Sequence, residues 1–556
     1  MQTRDTTPEY KVHSFVLFLT LGLLFSAEQI WAQRFEQIDQ ETPYIILAQV
    51  SGSPVKEVGQ TDSCRGYLLV RVVSFLRGEA STDSISLFWG GDSKLPDSEY
   101  CPKSGDLVVI YLKSLERNQG TLTRSGSMFP IITKSKSYYT YVVRITSESV
   151  VLAWGTTKGR VNSIGRYSYP LGETRIRFGE KNYKQSTKNW IEIAGLQPDR
   201  YYDYVVTLGD LTIGEGSVRT YPRESSRVAF FVIGDWGYGS YGQLRLAKAM
   251  ARLYREKAKT QNPIRFVLTT GDNIYKDKRK RRVKSAVSLG SGDRDNDWEH
   301  KFFWPYRDLI KHIPFYPSLG NHDGDESENS KDLEVYLDNF HLPGRYYRFR
   351  FAQFAEFYAL DSTQNSSPED GEIYLQGGSQ HRWLQDSLKT ATREKVPWKI
   401  PYYHHPSYNA GPRGKPSKRF NYLGKLLEES GVKVVFNGHE HNFQFSQLAG
   451  PNGLIRFVVT GGAGKPASDA DLRSRSDFKG KNLDSHRIKK GEIAYWSDQF
   501  HFLHVEIIGT EMEIKVLGIE GRIKLQDEEG REVKNLPKVS FGSNLSQTIQ
   551  GSKKWL

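Results

Sequence analysis

Five apolar runs beyond residue 226 each stop at a turn carrying Asp, Asn or His. Gly234-Asp235 ends the first and Gly271-Asp272-Asn273-Ile274-Tyr275 the second. Gly320-Asn321-His322-Asp323 ends the third, His404-His405-Pro406 the fourth, and Asn437-Gly438-His439-Glu440-His441-Asn442 the fifth. Singly, each has a plain explanation. Gly-Asp recurs at Gly91-Asp92, Gly105-Asp106 and Gly209-Asp210, where the dipeptide marks turns. Together, the residues form a donor set of imidazole and carboxylate without thiolate, which suits Fe, Zn or Mn. The set exceeds one tetrahedral site, so two ions are the natural count. Paired ions clamp an in-line displacement at phosphorus, and a carboxylate bridging both is the simplest way to hold them together.

Such side chains can cooperate only if the chain brings them to one rim. The apolar runs Val228–Ile233, Ile264–Thr270, Phe315–Leu319, Phe357–Leu360, Lys399–Tyr403, Val432–Phe436 and Ile455–Thr460 read as strands. Gln243 to Lys259 reads as an amphipathic helix, with Leu244, Leu246, Met250 and Leu253 spaced for one face. Strand–helix alternation predicts an α/β domain. In such sheets ligands bind at the carboxyl ends of the strands, which is where the polar residues stand. Histidine usage agrees: after His13 the next is His300, so imidazole chemistry belongs to the C-terminal half.

Two β-rich segments precede this domain. Between Gln33 and Ser135, Tyr44–Ala48, Tyr67–Val73 and Leu107–Leu112 are short strands separated by turns, predicting a small barrel or sandwich. Between Lys136 and Glu224, the run Val150–Trp154 and the later Leu196-Gln197-Pro198 and Tyr202-Asp203-Tyr204 predict a sandwich with a tyrosine corner.

In their order, Asp235, GDNIY, GNHD, HHP and GHEH resemble the motifs of the calcineurin-like metallophosphoesterases. Tyr275, three residues after Asp272, makes them most similar to the purple acid phosphatases. The match runs from about Val228 to Val516 and is reinforced by Phe357–Ser362 and Gln380–Leu384. The resemblance implies that Asp235, Tyr275 and His441 hold a ferric ion and that Asp272 bridges. It implies that Asn321, His404 and His439 hold a divalent ion (Fe, Zn or Mn). His322 would be the catalytic residue that orients the phosphate and assists the leaving group. His404 is chosen over His405 because the family pattern is His-x-Pro, which leaves His405 a flanking residue. A trivalent ion would favour the phenolate of Tyr275, whose ordinary pKa is near 10. Hydroxide held by the metals would attack phosphorus opposite the leaving alcohol.

Two departures stand out. Pro401 replaces a family valine, and the further histidines of plant and animal relatives are absent from Asn409-Ala410-Gly411-Pro412-Arg413-Gly414-Lys415. Arg413 or Lys415 would contact the phosphate instead; an arginine suits it by its forked donors but cannot serve as an acid. The segment 136–224 resembles a fibronectin type III-like domain, an arrangement the purple acid phosphatases share. The segment 33–135 resembles the netrin/TIMP-like OB barrels through CRGYLLVRVVSFLRG and CPKSGDLVVIYL.

Composition sets outer bounds. The 556 residues carry 77 Lys+Arg against 64 Asp+Glu, a net charge of +13. Such an excess favours anionic partners, whether phosphate esters, nucleic acid or acidic membrane. No nucleic-acid motif accompanies it. Hydrophobic residues at 38% and charged residues at 25% exclude wholesale disorder and fibrous classes. Two cysteines, Cys64 and Cys101, exclude a Cys-ligated zinc or iron–sulfur site. The apolar run Phe15–Phe25 is too short to span a bilayer. With Arg4 and Lys11 before it and Ala32 after, it predicts a secretory signal peptide, and hence no transmembrane span in the mature chain. An uncleaved anchor is the alternative. Export makes a Cys64–Cys101 disulfide the expectation, with two buried thiols as the alternative. The basic run Lys276–Lys284, beside the proposed site, reads either as substrate steering or as a solvated loop. Gly237 to Gly242 fits G-x-G-x-x-G, but the next strand ends in Asp272, already part of the metal pattern, so a dinucleotide site is not expected.

The expected layout is a signal peptide at 1–32, an OB-like barrel at 33–135 and a fibronectin type III-like sandwich at 136–224. An α/β metallophosphoesterase sandwich at 225–530 and a tail at 531–556 follow. The expected activity is exported hydrolysis of phosphomonoesters, on small molecules or phosphoproteins. Alternatives are a phosphodiesterase or nucleotidase with the same metals, or an adhesion or binding protein with an inactive phosphoesterase domain.

Overall fold

The computed structural model describes residues 44–50, 66–77, 84–89, 107–116, 119–122, 128–132, 138–156, 171–239, 241–275, 298–324, 333–363, 373, 375–409, 421–450, 453–464, 493–527 and 531–541. The apolar run 15–25, Cys64, Cys101, the basic run 276–284, Arg413 and Lys415 lie outside them. The chain divides into two compact units, Met1–Thr133 and Lys134–Leu556.

The first unit is one six-stranded sheet of Tyr44–Val50, Gly66–Arg77, Ser84–Trp89, Leu107–Glu116, Gln119–Leu122 and Met128–Ile132. The first strand pairs antiparallel with both the second and the fourth. The third pairs parallel with the fifth, and the fifth antiparallel with the fourth. The pairings of five strands therefore run 1-2-3-5-4-1, a closed ring, with the sixth strand added beside the fourth.

The second unit begins with two facing sheets. Tyr138–Ile145, Ser149–Thr156 and Trp190–Ala194 form one; Thr174–Phe178, Lys181–Gln185, Tyr201–Leu208 and Leu211–Arg219 form the other. Thr174–Phe178 alternates buried and exposed, the period of a strand with one dry face. Val150, Leu152 and Trp154 of one sheet pack with Ile176, Tyr204 and Val206 of the other. The Gln197 backbone N–H donates to Tyr202 Oη at 2.9 Å, as a tyrosine corner requires.

The remainder is a two-sheet α/β sandwich. Its elements are β1 (Arg227–Ile233), α1 (Tyr241–Lys257), β2 (Ile264–Thr269), β3 (Phe315–Pro317), β4 (Tyr347–Phe351), β5 (Ala355–Ala359) and α2 (Ser379–Arg393). They continue with β6 (Trp398–Tyr403), α3 (Asn421–Glu429), β7 (Val434–Asn437), β8 (Phe443–Gly450), β9 (Gly453–Thr460), β10 (Tyr495–Ser497), β11 (Phe502–Ile508) and β12 (Glu511–Gly518). One sheet runs β3-β2-β1-β11-β12 and the other β4-β5-β6-β7-β9-β8-β10, each extended by short strands. In the first sheet the parallel strands β3, β2 and β1 run in from one edge and antiparallel strands follow on the β1 side; in the second a parallel centre (β5, β6, β7, β9) has antiparallel strands on both sides. The central strands are buried on both faces and so read as continuous apolar runs. Along β1 the side chains split by parity. Val228, Phe230 and Val232 enter the core between the sheets, where Phe230, Phe266 and Phe357 lie 5.0–5.3 Å apart in pairs. Ala229, Phe231 and Ile233 pack outward with Leu246 and Met250 of α1. Val539–Ser540, within the expected tail, pairs with β12. Among the described residues no helix is long and apolar enough to cross a membrane.

Candidate metal centre

Parallel strands end on the same side, and the polar turns follow those ends. Asp235 lies two residues beyond β1, Asp272 three beyond β2, His404 one beyond β6 and His439 two beyond β7. Asn321 opens a short helix, Asn321–Gly324, after β3. Tyr275 Oη lies 3.0 Å from Asp235 Oδ1, 2.9 Å from Asp272 Oδ2 and 3.1 Å from His441 Nε2. A second knot forms at His404 Nε2, which lies 3.1 Å from Asn321 Oδ1, 3.3 Å from Asp272 Oδ1 and 3.3 Å from His439 Nδ1. All seven side chains expected to bind metal meet here. Asp272 belongs to both knots through its two oxygens. The floor of Asp235, Asp272, Tyr275, His404 and His441 is buried, while Asn321, His322 and His439 are partly exposed.

The donor set fits cations. A phenol has one O–H, yet Tyr275 Oη has two carboxylate oxygens within hydrogen-bonding range. One of those contacts sets oxygen lone pairs against each other unless a cation or a proton lies between them. Two buried carboxylates at such range are tolerable only with positive charge between them.

The backbone is bent to make this approach. Asp235, Asp272 and His439 have φ of 55°, 50° and 72°, in the left-handed region that non-glycine residues rarely occupy. Such conformations persist where surrounding contacts over-determine them, and they gather at functional sites. Two of those contacts are plain: the His439 N–H donates to Asp235 Oδ2 at 2.8 Å and the His322 N–H to Asp272 Oδ1 at 2.9 Å. Glycines precede the ligands because the loops touch. A Cβ on Gly320 would collide with the Asp272 backbone nitrogen and Oδ1, and one on Gly438 would sit 2.7 Å from Asp235 Oδ2.

Electrostatics follow the same geometry. Burial pushes the Asp272 carboxyl up, but the His404 and His322 charges and hydrogen bonds outweigh it and hold it well below the usual carboxylate range. Burial lowers His404, and the Asp272 and Asp235 charges more than reverse this, raising it to about 9. To ligate a cation, His404 must shed that proton. Burial, with the adjoining His404 charge, pushes His405 down to about 3.

Several supporting residues carry no signal in the sequence. Tyr238 stacks on Tyr275 with ring centroids 3.7 Å apart, and buried Lys301 donates to the Tyr275 carbonyl at 2.6 Å. His405, set aside as a flanking residue, has a ring nitrogen within 4.8 Å of ring nitrogens of His404 and His439. Asp323 was visible in GNHD but without a role. Its carboxylate accepts from the backbone N–H groups of Asn273, Ile274 and Gly320, from Asn273 Nδ2 and from Tyr336 Oη, at 2.7–3.1 Å. It ties the GDNIY and GNHD turns together. Burial and the Asp272 charge push Asp323 up to about 6. His322 rests its ring 4.4 Å from that of Tyr275, with its side chain 26% exposed at the mouth.

Comparison with known proteins agrees. Residues 228–443 match the Calcineurin-like phosphoesterase family. The chain is 29% identical to purple acid phosphatase 4 of Arabidopsis thaliana over 262 residues, covering 45% of this chain and 72% of that protein. It is 26% identical to purple acid phosphatase 3 of the same plant over 309 residues, covering 53% and 76%. Its fold matches a purple acid phosphatase from yellow lupin (Lupinus luteus) seeds with a TM-score of 0.53 at 13% identity, covering 89% of this chain and 90% of that one. The family uses a dinuclear metal centre, and the two knots supply residues that could hold one. Residues 228–443 are thus a calcineurin-like phosphoesterase domain, and the chain is a metal-dependent phosphoester hydrolase with the purple acid phosphatases among its relatives.

Proposed function

We propose that this chain is an exported phosphomonoesterase of the purple acid phosphatase type. Asp235, Tyr275 and His441 hold a ferric ion, Asn321, His404 and His439 hold a divalent ion, and Asp272 bridges. The observation that carries this reading is the meeting of Asp235, Asp272 and His441 at Tyr275 Oη, within 2.9–3.1 Å. A phenol among buried carboxylates suits a hard trivalent ion. When bound, the two ions supply Lewis acidity and neutralise charge developing on the phosphoryl oxygens. His322, partly exposed beside Tyr275 and fixed by its backbone bond to Asp272, orients the phosphate and hands a proton to the departing oxygen. Arg413 and Lys415 are the proposed further phosphate contacts.

Two finer readings of the fold accompany this. The closed 1-2-3-5-4-1 ring of the first unit, with strands three and five parallel, supports an OB-like barrel. The three- and four-stranded sheets with the Tyr202 corner support a fibronectin type III-like sandwich. Export rests on the N-terminal sequence alone.

Metal analysis of the purified chain, with its visible spectrum, tests the centre. Two ions per chain including iron, and a charge-transfer band from Tyr275, are expected. Fewer than two ions and no band would defeat the reading. Turnover of a phosphomonoester above a phosphodiester is expected; the reverse preference would replace the monoesterase with a diesterase.

A further inference from the structure

The function proposed above uses only the first of two adjacent histidines after β6. The structure anchors the second at the same ring nitrogen. His404 Nδ1 lies 2.9 Å from the Thr270 carbonyl oxygen, so it must donate there and leave Nε2 for a ligand. His405 Nδ1 lies 2.9 Å from Ser362 Oγ, which also accepts the His405 backbone N–H at 3.1 Å. A hydroxyl oxygen has two lone pairs, so Ser362 can accept from both, again leaving Nε2. Anchoring one ring nitrogen on an oxygen is how ligating histidines are oriented.

The anchor is firm. Ser362 is buried, and its neighbour Asp361 is fixed by Arg345 Nε at 2.6 Å and by the Thr363 N–H at 2.9 Å. The His405 ring centroid lies 4.9 Å from that of His404 and 4.7 Å from that of His439. One ring nitrogen from each of the three lies within 4.8 Å of the others, close enough to share an ion. A flanking residue would not need its ring anchored at Nδ1 and held against both neighbours.

We propose that His405 is an additional imidazole ligand to the divalent ion, giving that position three histidines beside Asn321 and Asp272. An imidazole-rich set favours Zn2+ or Fe2+ over Mn2+ and Mg2+, whose preference is for oxygen. The inference rests on the dinuclear reading above and adds to it the class of the second metal.

The test titrates the metal-free full chain with Zn2+ and, separately, Mn2+ by calorimetry, for wild type, His405→Ala and His405→Gln. Circular dichroism melting confirms that each is folded; the glutamine variant keeps bulk if the alanine variant does not fold. Wild type is expected to take two Zn2+. Each variant is expected to weaken one site by at least roughly ten- to a hundred-fold, the range that follows loss of even an anchoring partner. The other site should be unchanged and the zinc-over-manganese preference reduced. Wild-type Zn2+ affinity at both sites in folded variants overturns the proposal. So does a raised KM for a phosphomonoester with zinc binding intact, which would put His405 on the substrate. A wild-type chain that binds fewer than two ions overturns the dinuclear reading itself, and this inference with it.

Discussion

The sandwich and the strand-end rim are both well packed, yet they obey opposite rules. In the sandwich, Leu152, Trp154, Ile176 and Val206 follow the period of their strands inward, and the polar Tyr202 hydroxyl has a backbone partner. At the rim, Asp235 and Asp272 are buried carboxylates, and with His439 they adopt left-handed backbone. The first region is arranged for stability. The second accepts unfavourable conformation and charge burial, which marks residues held for chemistry. Substitutions should therefore separate: changes at the rim abolish metal binding and turnover, and changes in the sandwich lower stability alone.

The largest separation is expected from Asp272→Ala. It removes the carboxylate shared by both knots, so metal content and phosphoester turnover should both fall to background. Full activity in that variant would refute the bridge. Tyr275→Phe should come next. Iron analysis and the spectrum should show the visible band gone, with weaker retention of the ferric ion. Asp323→Ala tests a residue that touches neither knot of donors. It strands three buried backbone N–H groups and two side-chain donors, at ~1–3 kcal/mol for each that finds no substitute. Thermal melting should show a lowered midpoint and metal content a reduced occupancy, with partial recovery of both in Asp323→Glu. On the other side of the comparison, Leu152→Ala should cost about 2–5 kcal/mol in denaturant titration while kcat and metal content stay unchanged. Tyr202→Phe is the smallest, about 1 kcal/mol for a partly exposed hydrogen bond, again without effect on turnover. A sandwich variant that loses metal while still folded would break the division.

What the sequence disclosed follows the same line. Asp235, Asp272, Asn321, His404 and the His439–His441 pair stood out because each closes an apolar run, and a parallel sheet collects such ends; Tyr275 was singled out only by the family resemblance. The Trp154 strand and the Leu-x-Pro run ending in Tyr202 were legible because period and corner are local. Strands β4, β8, β11 and β12 were not expected. They lie at or toward sheet flanks, where pairing partners distant in sequence decide the structure. Tyr238 over Tyr275, Lys301 on the Tyr275 carbonyl and Ser362 on His405 were equally hidden, since each is a contact between segments distant in sequence. His405 shows the limit well. Its place in His-x-Pro marks it as filler, and only the tertiary position of Ser362 argues otherwise.

The sandwich is not a passenger on a tether. Buried Arg265 of β2 bonds to the Thr220 carbonyl and stacks 5.6 Å from both Tyr221 and Phe351, and Tyr204 Oη donates to the Lys311 carbonyl at 2.8 Å. Val218 and Tyr221 belong to the same apolar cluster as Phe266 and Phe351. A phosphoesterase expressed without residues 134–224 would therefore carry a raw aromatic wall and an orphaned guanidinium where the missing part had rested. The practical boundary for any soluble catalytic fragment lies ahead of the sandwich, and the two should melt in a single calorimetric transition.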